Sequence, residues 1–388
     1  MKDFYRQYLD ADLCREGTEC EKWDGRQDVF GRGDVVPMWV ADMDFPTVPE
    51  VCTALVKRAQ HPIYGYTRDN TGKRAEVDWL RRRHHLEIQE DWILYSPGVV
   101  DSMAFCIRAL THPGDAILIQ TPVYGPFYTA VEQQGRVLRK SPLLLTESGW
   151  KMDFQDMERA FQEGVRFMML CNPHNPVGRV WREEELRHAL RLANQYGVIV
   201  VCDEIHADFA FEHKTCRILS LPEADQAIML TSATKSFNLA GLRNSSVIVR
   251  NDALRKSIRQ EIRLSHADAP NIFGALAQRT AYEHGDEWMD AVLEYIRENR
   301  DYAVDYIRKN VPKISTYPQE GTYLMWLDCS AMEVTDDVLM RRMIDIGGVG
   351  LSGGRFFGEE GSKHLRFNLA TQRKNLLRAL EGIRMAAE

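Results

Sequence analysis

The sequence predicts an α/β protein: a large part with a mostly parallel central sheet between helices, plus a smaller α+β part. Three observations predict it. Short apolar runs rich in β-branched residues or Met recur through the middle of the chain. Amphipathic helical stretches separate them. After about residue 285 the texture changes to one long helix followed by short strands and helices.

The elements follow in order. "VVDSMAFCIRALTHPGD" (99–115) reads as a helix closed by Pro113 and Gly114. "AILIQ" (116–120), "VRFMML" (165–170), "VIVVC" (198–202), "AIMLT" (227–231) and "SVIVR" (246–250) read as buried strands. "REEELRHALRLANQYG" (182–197) has helical spacing, acids in its first turn and Gly197 as a stop. "EWMDAVLEYIRENRDYAVDYIRKN" (287–310) is a long helix. Strand-like "TYLMWLD" (322–328), a helix around 335–346 and "HLRFNLA" (364–370) follow it. The expected division is a large domain over 46–285 and a small one built from 1–45 and 286–388. At 388 residues the chain exceeds what one compact core usually holds.

Apolar residues make up 44% and charged residues 27%, ordinary values for a soluble enzyme. The net charge of −7 argues against nonspecific nucleic-acid or anionic-membrane binding. The polar start "MKDFYRQYLDADLCREG" has no apolar core of a secretion signal, and no apolar run approaches the ~20 residues that span a bilayer. The eight cysteines are scattered without a C-x-x-C pair, so neither a zinc ribbon nor a disulfide framework is expected. Those features place the protein in a reducing cytoplasm and predict no metal.

In open α/β sheets ligands bind outside the carboxyl ends of the strands. "VRFMML" is followed by "CNPHNPVG" with Asn175, "VIVVC" by "DEIHADF" with Asp203 and His206, and "AIMLT" by "SATK" with Lys235. Upstream, "YSPGVVDS" opens a helix at Gly98, whose free N–H groups, with those of Val99 and Val100, form a ready anion site. Each piece has a plainer reading. The first could be a proline-rich turn, Asp203 a helix cap, Lys235 a solvated lysine and Gly98 a simple helix start. Three consecutive strands delivering an amide, a carboxylate and an amine to one edge is the pattern that fits pyridoxal 5′-phosphate (PLP). The amine forms an imine, the carboxylate keeps the pyridine nitrogen protonated, and helix-start amides, hydroxyls and an arginine hold the phosphate.

"SATKSFNLAGLRNS" (232–245) resembles the Schiff-base motif of the fold-type-I PLP-dependent enzymes, the aspartate aminotransferase superfamily, whose PLP-dependent-transferase-like fold the chain would share. The resemblance implies that Lys235 carries PLP and that Ser232, Thr234 and Arg243 bind its phosphate. It implies that Asn175 in "HNPVG" meets the ring hydroxyl and that Asp203 meets the ring nitrogen. His206 stands where aminotransferases commonly carry a tyrosine. The blocks "KWDGRQDVFGRGDVVPMWVADMDFPT", "HPIYGYT", "TPVYGPF", "GGRFFGEEG" and "LRFNLA" resemble the cystathionine β-lyase branch (MalY/PatB-type C–S lyases) and spread over nearly the whole chain. By that resemblance Tyr124 stacks on the ring, Arg366 clamps the substrate α-carboxylate, and Ala41 offers it a backbone contact. Asn175 also meets the substrate. Tyr64 reaches the other subunit's phosphate in a homodimer. The implied reaction is β-elimination on L-cystathionine or a related S-substituted L-cysteine. The common machinery serves an aminotransferase equally well, and a noncatalytic PLP-binding regulator is a third reading. The first 40 residues hold no basic helix-turn-helix segment that would favour it.

Overall fold

The computed structural model describes residues 2–68, 71–147 and 149–388. Seven strands form the central sheet: β1 (Ile93–Ser96), β2 (Ala116–Thr121), β3 (Val137–Pro142), β4 (Phe167–Cys171), β5 (Ile199–Asp203), β6 (Ala227–Thr231) and β7 (Ser245–Val249). Their spatial order is β1-β7-β6-β5-β4-β2-β3. The strands from β3 to β6 run parallel, and β7 lies antiparallel to both β6 and β1.

The apolar runs are continuous because both faces of the sheet are covered. Phe167, Met169, Val201, Ile228 and Leu230 pack on one side with Met103, Phe105 and Ile107 of helix α1 (Val99–Leu110). Met168, Leu170, Val200, Cys202 and Met229 pack on the other with Leu186, Leu190 and Ala193 of α2 (Glu183–Tyr196). The latter helix starts where Glu185 Oε2 accepts from the Arg182 N–H at 2.9 Å, and stops at Gly197, whose φ of 66° lies in the left-handed region.

Two strands, β1 and β3, were not legible as apolar runs. β1 is four residues long, and antiparallel pairing with β7 holds it. β3 reads VLRKSP and is an edge strand, where basic residues and a proline are tolerated. The crossover from β5 to β6 contains two 3₁₀ turns, Ile218–Ser220 and Ala224–Gln226, where alternation alone would predict an α-helix.

A second, antiparallel sheet takes the order β8 (Ser315–Thr316), β9 (Leu324–Asp328), β11 (His364–Asn368), β10 (Ser352–Gly353). Met325, Leu327, Leu365 and Phe367 pack there against Ala303 and Ile307 of α3 (Asp286–Asn310) and Leu376, Leu380 and Ile383 of α4 (Arg373–Ala387). The first half of α3, with Trp288, Val292 and Tyr295, packs instead into the core beside the large sheet. Residues from the chain start join both: Val36 pairs with Val349 beside the small sheet, and Tyr5, Leu9 and Phe45 enter the larger core. Among the described residues, no helix is long and apolar enough to cross a membrane.

Candidate active site

The registers Cys171↔Asp203 and Asp203↔Leu230 bring the carboxyl ends of β4, β5 and β6 level. Side chains alternate along a strand, so Asp203 shares a face with Val201, the face that α1 covers. A cavity of about 380 Å³ opens at this edge. Its wall includes Ala41, Gly98, Val99, Val100, Tyr124, Asn175, Asp203, His206, Thr234, Lys235 and Arg243. Ser232 and Arg366 lie behind that wall, and Tyr64 lies apart from it, half exposed, its hydroxyl donating to the Ala59 carbonyl at 2.7 Å.

Lys235 sits on the short helix Ala233–Ser236 directly after β6. Its ammonium donates to the Ala41 carbonyl at 2.5 Å, and the Tyr323 hydroxyl donates to the same oxygen at 2.9 Å. Burial, with the Arg366 charge adding to it and Asp42 opposing, brings the Lys235 amine down to about 8. Asp203 is buried and accepts the Ile205 N–H at 3.0 Å. No cation among the described residues forms an ion pair with it, and burial pushes its carboxyl up to about 7. A site with a lowered amine and a raised carboxyl is poised for proton transfer near neutral pH.

At the other end, α1 begins at Gly98 with extended backbone (φ −170°), and a Cβ there would meet Asp101 Oδ2 at 2.8 Å. Arg243 pairs with that carboxylate at 3.0 Å, which holds the guanidinium beside the helix start. The buried Asn244 Nδ2 on the cavity wall has no hydrogen-bond partner. Ser232 Oγ donates to the Asn244 carbonyl at 2.6 Å and accepts from the Thr234 N–H at 3.0 Å and from the Thr234 hydroxyl. Its hydroxyl is therefore spent inside the protein, where it shapes the loop and leaves Thr234 on the wall. The sequence expectation had put it on the phosphate.

Arg366, on β11, is buried, at 4% exposed. It donates to Asn175 Oδ1 at 3.2 Å and to the Trp39 carbonyl at 2.8 Å, and its Nε is unpartnered. Burial lowers it to about 10. Because Asn175 Oδ1 is taken by Arg366, the amide turns its Nδ2 donor elsewhere. His206 Nδ1 is also buried without a partner, and burial, then Lys235 and Arg366, push the imidazole down to about 3, so it is neutral. Tyr124, on the cavity wall, meets the Phe356 ring edge-on at 5.8 Å, and burial raises its phenol.

Asp101, Asn244 and Phe356 were not singled out from the sequence. The signal for the first two was present: Asp101 lies in the first turn after Gly98, and Asn244 follows Arg243 directly.

The residues fit PLP. A nucleophilic amine, an uncompensated buried carboxylate, a helix start with an arginine, and unpartnered donors on Asn244 and Arg366 match an aldehyde, a ring nitrogen, a phosphate and a substrate carboxylate.

The family described as aminotransferase class I and II matches residues 34–383. The chain is 36% identical over 377 residues to cystathionine beta-lyase PatB of Bacillus subtilis (strain 168), spanning 96% of this chain and 97% of that one. A PLP-bound candidate aminotransferase of Clostridium difficile 630 superposes with a TM-score of 0.95 at 37% identity, over 98% of this chain and 99% of that one. The PLP-bound C–S lyase of Staphylococcus hominis superposes with a TM-score of 0.91 at 29% identity, over 98% of this chain and 97% of that one.

Proposed function

The chain belongs to the class I and II aminotransferase family, and from that premise we propose that it is a PLP-dependent carbon–sulfur lyase acting on L-cystathionine or a related S-substituted L-cysteine. The observation that carries the reading is the paired placement of Lys235 and Asp203 at the ends of adjacent strands. The match over nearly the whole length of a named cystathionine beta-lyase supports the lyase over the aminotransferase.

When bound, PLP supplies an aldehyde that an amine can attack and a protonated pyridine ring able to accept the electron pair released at Cα. This chain's residues do the rest. Gly98, Val99 and Val100 offer N–H groups to the phosphate, with Arg243 above them. Asp203, ionised once a cation faces it, would hold the proton on the ring nitrogen. Arg366 receives the substrate α-carboxylate and Asn175 steadies it. Lys235, near 8 before any ligand arrives, takes the Cα proton as general base. The Cβ–S bond then breaks and the thiolate leaves with the bonding pair. Water completes the balance: R–S–CH2–CH(NH3⁺)–COO⁻ plus water gives the thiol, pyruvate and ammonium. L-cystathionine would release homocysteine.

Val56, Ile63, Tyr64 and Tyr66, near one another in the chain, are all exposed, which favours a homodimer. In that arrangement Tyr64 would reach the partner's phosphate site. All eight cysteines are free, which favours a reducing cytoplasm.

The test is a panel of S-substituted cysteines scored for thiol and pyruvate without added keto acid. Release of both in equal amounts is expected. Strict dependence on a keto acid with no thiol would assign the protein to the aminotransferases.

A further inference from the structure

Behind the candidate site lies a chain of polar groups that the mechanism above does not use. Ser236, directly after Lys235, donates its hydroxyl to Asp208 Oδ2. The other oxygen of that carboxylate lies 2.7 Å from His84 Nε2, at the end of the helix Gly72–His84. The His84 and Asp208 side chains are only 6% and 9% exposed. Asp208 follows His206 by two residues, in the loop that leaves β5 beyond Asp203.

The arrangement repeats one rule. Residues close together in the chain divide between the cavity and the protein behind it. Lys235 reaches Ala41 while Ser236 reaches Asp208. Asp203 faces the cavity while Glu204, on the other side, is buried against Arg217. His206 lines the cavity while Asp208 turns back to Ser236 and His84. Asp208 thereby ties the loop bearing Asp203 and His206 to the turn bearing Lys235.

Burial alone would raise Asp208, but His84 and Ser236 hold it down to about 2, so it is ionised. Burial, helped by Arg217, lowers His84, which is neutral. An ionised carboxylate only accepts, so the single imidazole proton sits on Nε2. Two donors on one buried carboxylate give charge-assisted hydrogen bonds, stiffer than neutral ones.

We propose that the buried chain His84–Asp208–Ser236 is a positioning device: it fixes the turn Ala233–Ser236 against the Asp203 loop and so aims the Lys235 amine. The inference rests on the reading of Lys235 as the reactive amine. Losing either hydrogen bond leaves that turn free to rotate, and the amine loses its aim without any loss of substrate contacts.

The test begins with cofactor-free protein mixed with PLP, with no amino acid present. Attachment is followed by the growth of the lysine-linked absorbance and its circular dichroism. Ser236→Ala and Asp208→Asn are expected to slow attachment and to lower kcat about 10- to 100-fold, the usual cost of a misplaced reacting group. KM should move less than about twofold, since Arg366 and Asn175 are untouched. Ser236→Thr keeps the hydroxyl and should restore attachment. Wild-type attachment and kcat in Ser236→Ala, with only a lower Tm, would overturn the inference, as would failure of Ser236→Thr to rescue. If Asp208→Asn does not fold, the two Ser236 variants decide. Should the wild-type protein release no thiol, the lyase reading alone fails, because attachment needs no substrate.

Discussion

Replacing Arg366 with methionine separates substrate binding from stability. Lowering a buried guanidinium from 12.5 to about 10 corresponds to about 3 kcal/mol held against the folded protein. Methionine removes that burden and fills a similar volume. It also removes the bonds to Asn175 Oδ1, the Trp39 carbonyl and Ser352 Oγ, each worth about 1 kcal/mol net. The two nearly cancel, so the cofactor-loaded protein should melt within a few degrees of wild type, without the large loss that follows when one partner of a buried ion pair is deleted. Catalysis should respond differently. Two charge-assisted bonds to a substrate carboxylate, at about 1.5–3 kcal/mol each, predict a fall in kcat/KM on the order of 10² to 10⁴. The assay is thiol release from an S-substituted cysteine, compared with the corresponding S-substituted cysteamine, which lacks the carboxylate. Wild type should prefer the cysteine strongly and Arg366→Met should lose most of that preference. A drop in Tm of many degrees with the preference intact would refute the reasoning and leave Arg366 a structural residue.

Other outcomes follow from the same site. Lys235→Ala should fold and lack both the lysine-linked chromophore and turnover, as absorbance and thiol release would show. Asp203→Asn should keep the chromophore but lose several kcal/mol of transition-state stabilisation, measured as kcat. Asp203 also makes a pH signature. Its folded carboxyl is raised from 3.8 to about 7, so between those values the folded state binds more protons than the unfolded one, and stability falls as pH rises through that window. The difference in unfolding free energy between cofactor-free wild type and Asp203→Asn should therefore shift against wild type by up to about 4 kcal/mol from pH 4 to 7; a flat difference would show that the carboxylate is already compensated. Finally, mixing inactive Lys235→Ala with impaired Tyr64→Ala protein after subunit exchange should restore about a quarter of wild-type activity, one intact site in half of the dimers, if Tyr64 serves the partner's site.

The amino-acid order alone determined what is local. A strand buried on both faces, such as Ala227–Thr231, needs a continuous apolar run, and a helix such as Glu183–Tyr196 needs acids at its start and glycine at its end. Residues that immediately follow such strands, Asp203 and Lys235 above all, were therefore legible, because the end of a parallel strand is a fixed place. The rest was set by contacts between residues far apart in sequence. The polar edge strand Val137–Pro142 and the short Ile93–Ser96 exist because neighbours complete their hydrogen bonds. Only the packed chain places Asp208 between Ser236 and His84, turns Arg366 inward without a carboxylate, and sets the Ala41 carbonyl on the Lys235 amine. Polar side chains carry no periodic signature. Which of them become buried, and against what, depends on desolvation and hydrogen-bond geometry that come into being when distant segments meet.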